Sequence, residues 1–266
     1  MSANLAAVVL AAGASSRMGR TKALLPAGGT VDPALAPGQG TEPAPVTEAT
    51  FLGRLLDTLE AAAVPRTVVV ASAAIEEAVR AIVAARAAVV VNPTPERGQL
   101  SSLVVGLDAL EGGHPGGESA RIEGSGGAAG AFGTGRAPAA RPPAGQEGGA
   151  ARVSESATLE AILSVPVDVP LVAPATVRAL IEAWMQRRAP VVRPARGSRH
   201  GHPVIFDRAV FDELRRAVGE PDGARAVIRR HRARILDVAV ADEGAFIDVD
   251  TPEDYRRLFG REPPPP

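Results

Sequence analysis

The sequence predicts an α/β protein, a mostly parallel sheet with helices on both faces. Three observations carry this. Short β-branched runs alternate with longer segments of helical period, the pattern of strand–helix–strand units. A Gly-rich loop follows the first apolar run directly. Finally, 45% of the 266 residues are hydrophobic but only 3% are aromatic, so a sizeable core must be packed with Val, Leu, Ile and Ala.

Residues 5–10 read as the first strand, running into the loop. Residues 51–63 (FLGRLLDTLEAAA) repeat apolar positions at helical spacing. The run TVVVA at 67–71 is a strand, 74–86 an Ala-rich helix, and 87–92 a further short strand. Residues 101–110 (SSLVVGLDAL) read as a helix with Ser near its start as a cap candidate. Then AILSVPVDVP, 161–170, is an apolar strand ending at Asp168. A helix with Pro at its first turn covers 174–188. PVVRPARGSRHGHPVIF suggests two short strands around a basic turn, and helices follow at 207–217 and 223–231. RILDVAV and FIDVD read as strands, and TPEDYRRLF opens a last helix with Thr251 as cap and Pro252 at its first position.

Two segments break the pattern. Residues 112–152, rich in Gly, Ala and Pro, have no periodicity and too little apolar surface to offset their ordering entropy. Residues 28–48 are similar, so both are expected to be flexible insertions in one domain spanning 1–266, with the PPPP tail also disordered.

Composition excludes several classes of function. A net charge of −1 leaves no electrostatic footprint for nucleic acid or an anionic membrane. With no cysteine there is no disulfide, thiolate metal site or thiol nucleophile. Any metal would be held by carboxylates, amides or His, which favours a hard ion such as magnesium. The N-terminal run lacks a basic n-region and no apolar stretch is long enough to span a bilayer, so a cytoplasmic protein is expected.

The loop in VVLAAGASSRMGRTKALLP (8–26) is the strongest candidate site. It is not a P-loop: five residues separate Gly13 from Gly19, and Arg20 follows where Lys should stand. The G-x-G-x-x-G fingerprint is also missing. The loop still suits phosphate. Gly13 and Gly19 allow close backbone approach, Arg17 offers a forked donor, and Lys22 a point charge. Lys22 is the only lysine among 29 basic residues, which favours a site needing a compact ammonium over chance survival.

Asp168 stands at the end of a strand, where open α/β sheets place ligands, and can serve as a metal ligand or as a turn residue bonding its own backbone. Asp250 precedes a helix start, where favouring the helix dipole and binding metal are compatible roles. Asp248, two residues earlier, shares its face and is a backup ligand. In NPTPERGQLSS, Asn92 can bond backbone or ligand, Gly98 allows close approach, and Ser101 and Ser102 can cap a helix or touch a ligand. His200 and His202 lack a third ligand nearby in sequence, so a structural turn outweighs a metal site. The run RRHRAR (229–234) reads as a solvated helix end.

LAAGASSRMGRTKALL resembles the signature of the MobA-like nucleotidyltransferases, a family that includes molybdenum cofactor cytidylyltransferases. NPTPERGQLSS, VPVDVP, GHPVIF and DVDTPEDY follow in the family's order, so the resemblance covers nearly the whole chain outside the insertions. It implies a Rossmann-like three-layer sandwich that uses magnesium and a nucleoside triphosphate. The opening loop, with Leu10, Ala11, Ala12, Gly13, Ser15, Arg17, Gly19 and Lys22, would hold the nucleotide. Gly98 and Ser101 would line the base pocket, and Asp168 and Asp250 would be the metal carboxylates. His202 would lie on the acceptor side. Lys22, Arg17 and Asp168 would carry catalysis. Ala12, where other members have Gly, points to CTP. The acceptor implied is the molybdopterin cofactor, with a molybdoenzyme as client, or another phosphate-bearing molecule such as a sugar phosphate or isoprenoid-precursor phosphate. A nucleotide sensor or cofactor chaperone is the non-catalytic alternative.

Overall fold

All six residues of β1 (Leu5–Leu10) are buried, which requires cover on both faces and a neighbour on each edge. The structure, a computed structural model, supplies both. It describes residues 4–13, 17–28, 49–112 and 158–265; apart from their edges, the two expected insertions lie outside the described residues. β1 pairs in parallel with β2 (Thr67–Ala71) on one side and β4 (Ala161–Pro166) on the other. The sheet continues outward to β3 (Ala88–Val91), also parallel. On the far side β7 (Val204–Asp207) runs antiparallel to β4, β5 (Val191–Arg196) antiparallel to β7, and β8 (Ile235–Ala239) parallel to β5. β6 (Arg199–His200) closes a hairpin on β5.

Strand periodicity splits the core into two layers. Ala7 and Val9 of β1 face α1 (Phe51–Ala61), α4 (Pro174–Arg187) and α7 (Pro252–Phe259). Ala6, Val8 and Leu10 face α3 (Gln99–Leu110), α5 (Phe211–Arg216) and α6 (Ala224–Arg230). The result is the expected α/β three-layer sandwich with a mostly parallel sheet. No helix among the described residues is long and apolar enough to cross a membrane.

Caps set the helix starts. Thr50 Oγ1 accepts from the Gly53 amide at 3.0 Å to open α1. Thr251 and Asp254 form a reciprocal capping box, with Pro252 inside the first turn of α7. Three of the chain's eight aromatic residues meet where α1 and α7 touch: Tyr255 lies 4.8 Å from Phe259 and 6.1 Å from Phe51, centroid to centroid. The Tyr255 hydroxyl donates to the Pro26 carbonyl at 2.7 Å, tying α7 to the chain just after the opening loop.

Four sequence expectations need correction. The helix expected over 74–86 is a 3₁₀ turn, Ala73–Ile75, followed by α2 (Glu76–Val83), which stops where Ala84 takes a positive φ of 49°. The strand expected to reach Asp168 ends at Pro166, leaving Asp168 in the following turn, where the Val169 amide bonds back to the Pro166 carbonyl. The two strands expected around the basic turn are three. FIDVD is not a strand: its backbone meets the turn after β4 instead of a strand edge, the Val249 amide donating to the Asp168 carbonyl at 2.8 Å.

Close packing of α3 on the sheet depends on Gly106. A Cβ there would overlap Val8 Cγ1 and lie 3.0 Å from Val70 Cγ2, both on stiff β-branched side chains. Gly106→Ala should therefore lower the unfolding free energy by about 1–2 kcal/mol, overpacking outweighing the gain in helix propensity. An unchanged urea midpoint at constant m-value would show that α3 backs away from β1 without penalty.

Candidate active site

The register of the central strands builds the site. Leu10 lies opposite Pro166, so β1 and β4 end level and their loops leave from the same sheet edge. That edge is the C-terminal one, where the strands' following loops and helix starts converge. The Val167 amide donates to the Leu10 carbonyl at 3.2 Å and holds the two exits together.

After β1 the chain makes a turn at Arg17–Arg20, with Gly19 at a φ of +67°, a conformation glycine adopts without strain. A 3₁₀ turn, Lys22–Leu24, then buries Lys22, which is 8% exposed. Its ammonium sits between two carboxylates. Lys22 Nζ donates to Asp168 Oδ2 at 3.1 Å and also bonds Asp250 Oδ1 closely. Arg17 Nη2 takes the other oxygen of Asp250 at 2.9 Å. The Arg17 side chain is 73% exposed, so its pair adds little stability, whereas the Lys22 pairs are shielded on the lysine side.

A cleft of about 300 Å³ opens over this cluster. Leu10, Ala12, Gly13, Arg17, Lys22, Gly98, Asp168 and Asp250, all predicted site residues, line it together. Pro95, Gln99, Ser102 and Val167 complete the wall. Three predicted residues stand behind it. Ala11 is buried, its amide on the Val70 carbonyl; Gly19 shapes the turn; Ser101, expected as a cap, lies inside the first turn of α3 and donates to the carbonyl of Gly98, the residue at the N-cap position, at 2.7 Å. Ser15 lies outside the described residues. Sequence reasoning did not single out Pro95 and Gln99; their only signal was a place beside Gly98 in the segment already suspected.

A second cavity of about 320 Å³ adjoins the first and shares Leu10, Gly98 and Gln99 with it. His202, Arg97, Arg225 and Ser164 line it over an apolar floor that includes Phe206. Burial lowers the pKa of His202 below the usual histidine range, against the opposing pull of Asp248 and Asp168, so its ring is neutral at pH 7. His200 is exposed near Asp237, apart from His202 in environment, which fits a structural turn. In the basic run, Arg229 and Arg230 pair with Asp222 and Glu220 on the surface, as expected of a solvated helix end.

Asp248 lines a neighbouring groove that shares Arg17 and Asp250 with the first cleft. Partial burial raises its pKa, and repulsion from Asp168 and Asp250 adds to the rise. No three His, Asp or Glu side chains gather in metal-ligand geometry among the described residues. The acidic centre of the cleft is a pair, Asp168 and Asp250, bridged by an ammonium.

Comparison with known proteins agrees with this architecture. Rv0371c from Mycobacterium tuberculosis H37Rv is 27% identical and superposes with a TM-score of 0.63, covering 98% of this chain and 100% of its own. The structure of Rv0371c complexed with manganese is 25% identical with a TM-score of 0.58, covering 97% and 98%. Molybdopterin-guanine dinucleotide biosynthesis protein A from Archaeoglobus fulgidus shares the fold at 13% identity, with a TM-score of 0.54 over 96% and 97% of the two chains. No curated protein matches. The sequence pattern of the MobA-like NTP transferase domain matches residues 7–235, a span that takes in the opening loop, Asp168 and the second cavity and stops before Asp250: the chain belongs to the MobA-like nucleotidyltransferases.

Proposed function

We propose that the cleft moves a nucleoside monophosphate, CMP from CTP, onto an acceptor phosphate and releases pyrophosphate. The observation that carries this reading is the meeting of Lys22 and Arg17 with Asp168 and Asp250 at the C-terminal edge of the sheet, beside a glycine-lined backbone. An acceptor oxygen forms the new bond to the α-phosphorus, and the bond to the bridging oxygen of the departing pyrophosphate breaks. The protein supplies no nucleophile; its contribution is alignment and charge stabilisation.

Each residue then has a task. Gly13 lets the backbone approach the phosphates, while Arg17 and Lys22 offset negative charge on the transferred group and the pyrophosphate. Gly98, Gln99 and Ser102 face the base side of the cleft, and the cavity of His202 and Arg225 receives the acceptor. The donor set suits a hard divalent cation such as magnesium. Two carboxylates are the usual protein share for that ion, phosphate oxygens and water making up the rest. Asp168 and Asp250 would hold it, and it would supply neutralisation of phosphate charge. The structure of Rv0371c in complex with manganese supports the use of a divalent ion. Cytidine follows from Ala12 through the family resemblance, and the acceptor is molybdopterin cofactor or another phosphate-bearing small molecule.

The test is pyrophosphate release with magnesium across a panel of nucleoside triphosphates and phosphate-bearing acceptors. CTP with one acceptor should give turnover. Nucleotide binding that raises Tm without release for any acceptor would replace the enzyme with a sensor. Asp168→Asn should lower kcat by about 10²-fold or more while leaving the unfolding midpoint in place. A near-normal rate in that variant would remove Asp168 from the mechanism.

Lys22 makes a separate prediction. Its ammonium occupies both carboxylates, so a divalent ion must displace it. Lys22→Met should bind Mn²⁺ alone about tenfold more tightly than the wild type, a difference of ~1.4 kcal/mol, read by electron paramagnetic resonance without nucleotide. Equal or weaker Mn²⁺ binding would place the ion elsewhere.

A further inference from the structure

Asn92 follows β3 directly, is 1% exposed, and donates its backbone amide to the Ala71 carbonyl at 2.8 Å. Its side chain is fully committed, and the direction of every bond can be read. The Thr94 backbone amide, which can only donate, lies 2.9 Å from Asn92 Oδ1. That bond identifies the carboxamide oxygen and excludes the flipped orientation. The carboxamide nitrogen therefore faces the start of α3, with Ser101 Oγ and Ser102 Oγ each at 2.9 Å. An amide nitrogen donates only, so both serine hydroxyls accept from it and both must place their own protons elsewhere.

The two serines then diverge. Ser101 gives its proton to the Gly98 carbonyl at 2.7 Å, with the Thr94 carbonyl at 3.3 Å. Ser102 has no acceptor for its proton among the described residues, yet it is 4% exposed and lines the first cleft. A buried hydroxyl proton without an acceptor is unfavourable, and the free space beside it is the cleft.

We propose that Asn92 is a positioning residue: by occupying a lone pair on Ser102 Oγ from behind, it commits that hydroxyl to donate to an acceptor atom on the nucleobase, a ring carbonyl oxygen or an unprotonated ring nitrogen. This rests on the nucleotide reading of the cleft and adds a specificity element to it. A base presenting an N–H at that point leaves the serine proton unmatched, so discrimination comes from hydrogen-bond polarity as well as from shape.

Asn92→Asp tests the polarity. It still accepts from Thr94 but turns an acceptor oxygen toward the serines, so Ser102 donates backwards and presents only lone pairs to the cleft. Dissociation constants for the four nucleoside triphosphates and for tripolyphosphate, with Mn²⁺ present, are compared with the wild type. The preferred triphosphate should weaken by about tenfold and the preference between bases flatten, with tripolyphosphate affinity unmoved. Ser102→Ala, which introduces no buried charge, should flatten the preference by itself. On that background, Asn92→Asp should change the ratios between bases no further. Unaltered ratios in Ser102→Ala would overturn the inference while leaving the nucleotide site standing. Failure of the wild type to bind any of the four would remove both.

Discussion

The Lys22 ammonium between Asp168 and Asp250 is the constraint on which the site depends. It joins three segments 146 and 228 residues apart in sequence, at the sheet edge where a ligand would enter. Such a cluster is not justified as a stabilising device. Each carboxylate is about a quarter exposed, at 25% and 28%, so solvent screens the attraction, while the lysine at 9% side-chain exposure bears a desolvation penalty. An aliphatic side chain would fill the same space more safely. A nearly buried ammonium held by two acids about a quarter exposed is better explained as a site for polyphosphate than as core packing.

The rest of the fold can be read as what brings these three charges together. Level strand ends put the opening loop beside the turn of Asp168. The Val249 amide on the Asp168 carbonyl then draws the approach to α7 against that turn, with Asp250 next in line. Behind it, Tyr255 reaches the Pro26 carbonyl, and the Phe51–Tyr255–Phe259 cluster packs α7 onto α1. Concentrating three of eight aromatics here gives large, stiff contacts where three distant segments must keep register, while aliphatic side chains fill the rest.

The central fold was legible because a fully buried parallel strand leaves a continuous apolar run, and β1, β2 and β4 all do. The opening loop was legible because glycines and basic residues alternate right after such a run. FIDVD misled for a physical reason: its apolar–acidic alternation is the strand signal, but that period reports only which side faces the core. Val249 is indeed buried, held by one backbone bond to a turn. Reading a strand also put Asp248 on one face with Asp250 as a backup ligand; Asp248 lines a neighbouring groove that shares Arg17 and Asp250 with the first cleft. Asn92 could be suspected from its residue type, but the direction of its bonds depends on the Thr94 amide and on α3 beginning at Gln99, two residues earlier than periodicity placed it. Interactions that require two separate segments to be oriented, as here, leave no local trace.

Charge balance explains why the acids and the cations of this cleft belong together. In the absence of ligand, Lys22 and Arg17 match Asp168 and Asp250 one for one, and the third carboxylate, Asp248, has its pKa raised by burial and by repulsion from Asp168 and Asp250, against the opposing pull of His202 and Lys22. The proposed triphosphate brings several negative charges to this place. The ammonium cannot stay between the carboxylates and also turn to the phosphates, so once it turns the two acids are left facing each other and the incoming anion. Asp168 and Asp250, once Lys22 turned away, would hold a divalent cation, and its charge would remove that conflict. On this account, nucleotide and metal each bind poorly alone and well together. The coupling is a consequence of having one buried lysine where two acids and a polyphosphate all require a positive charge.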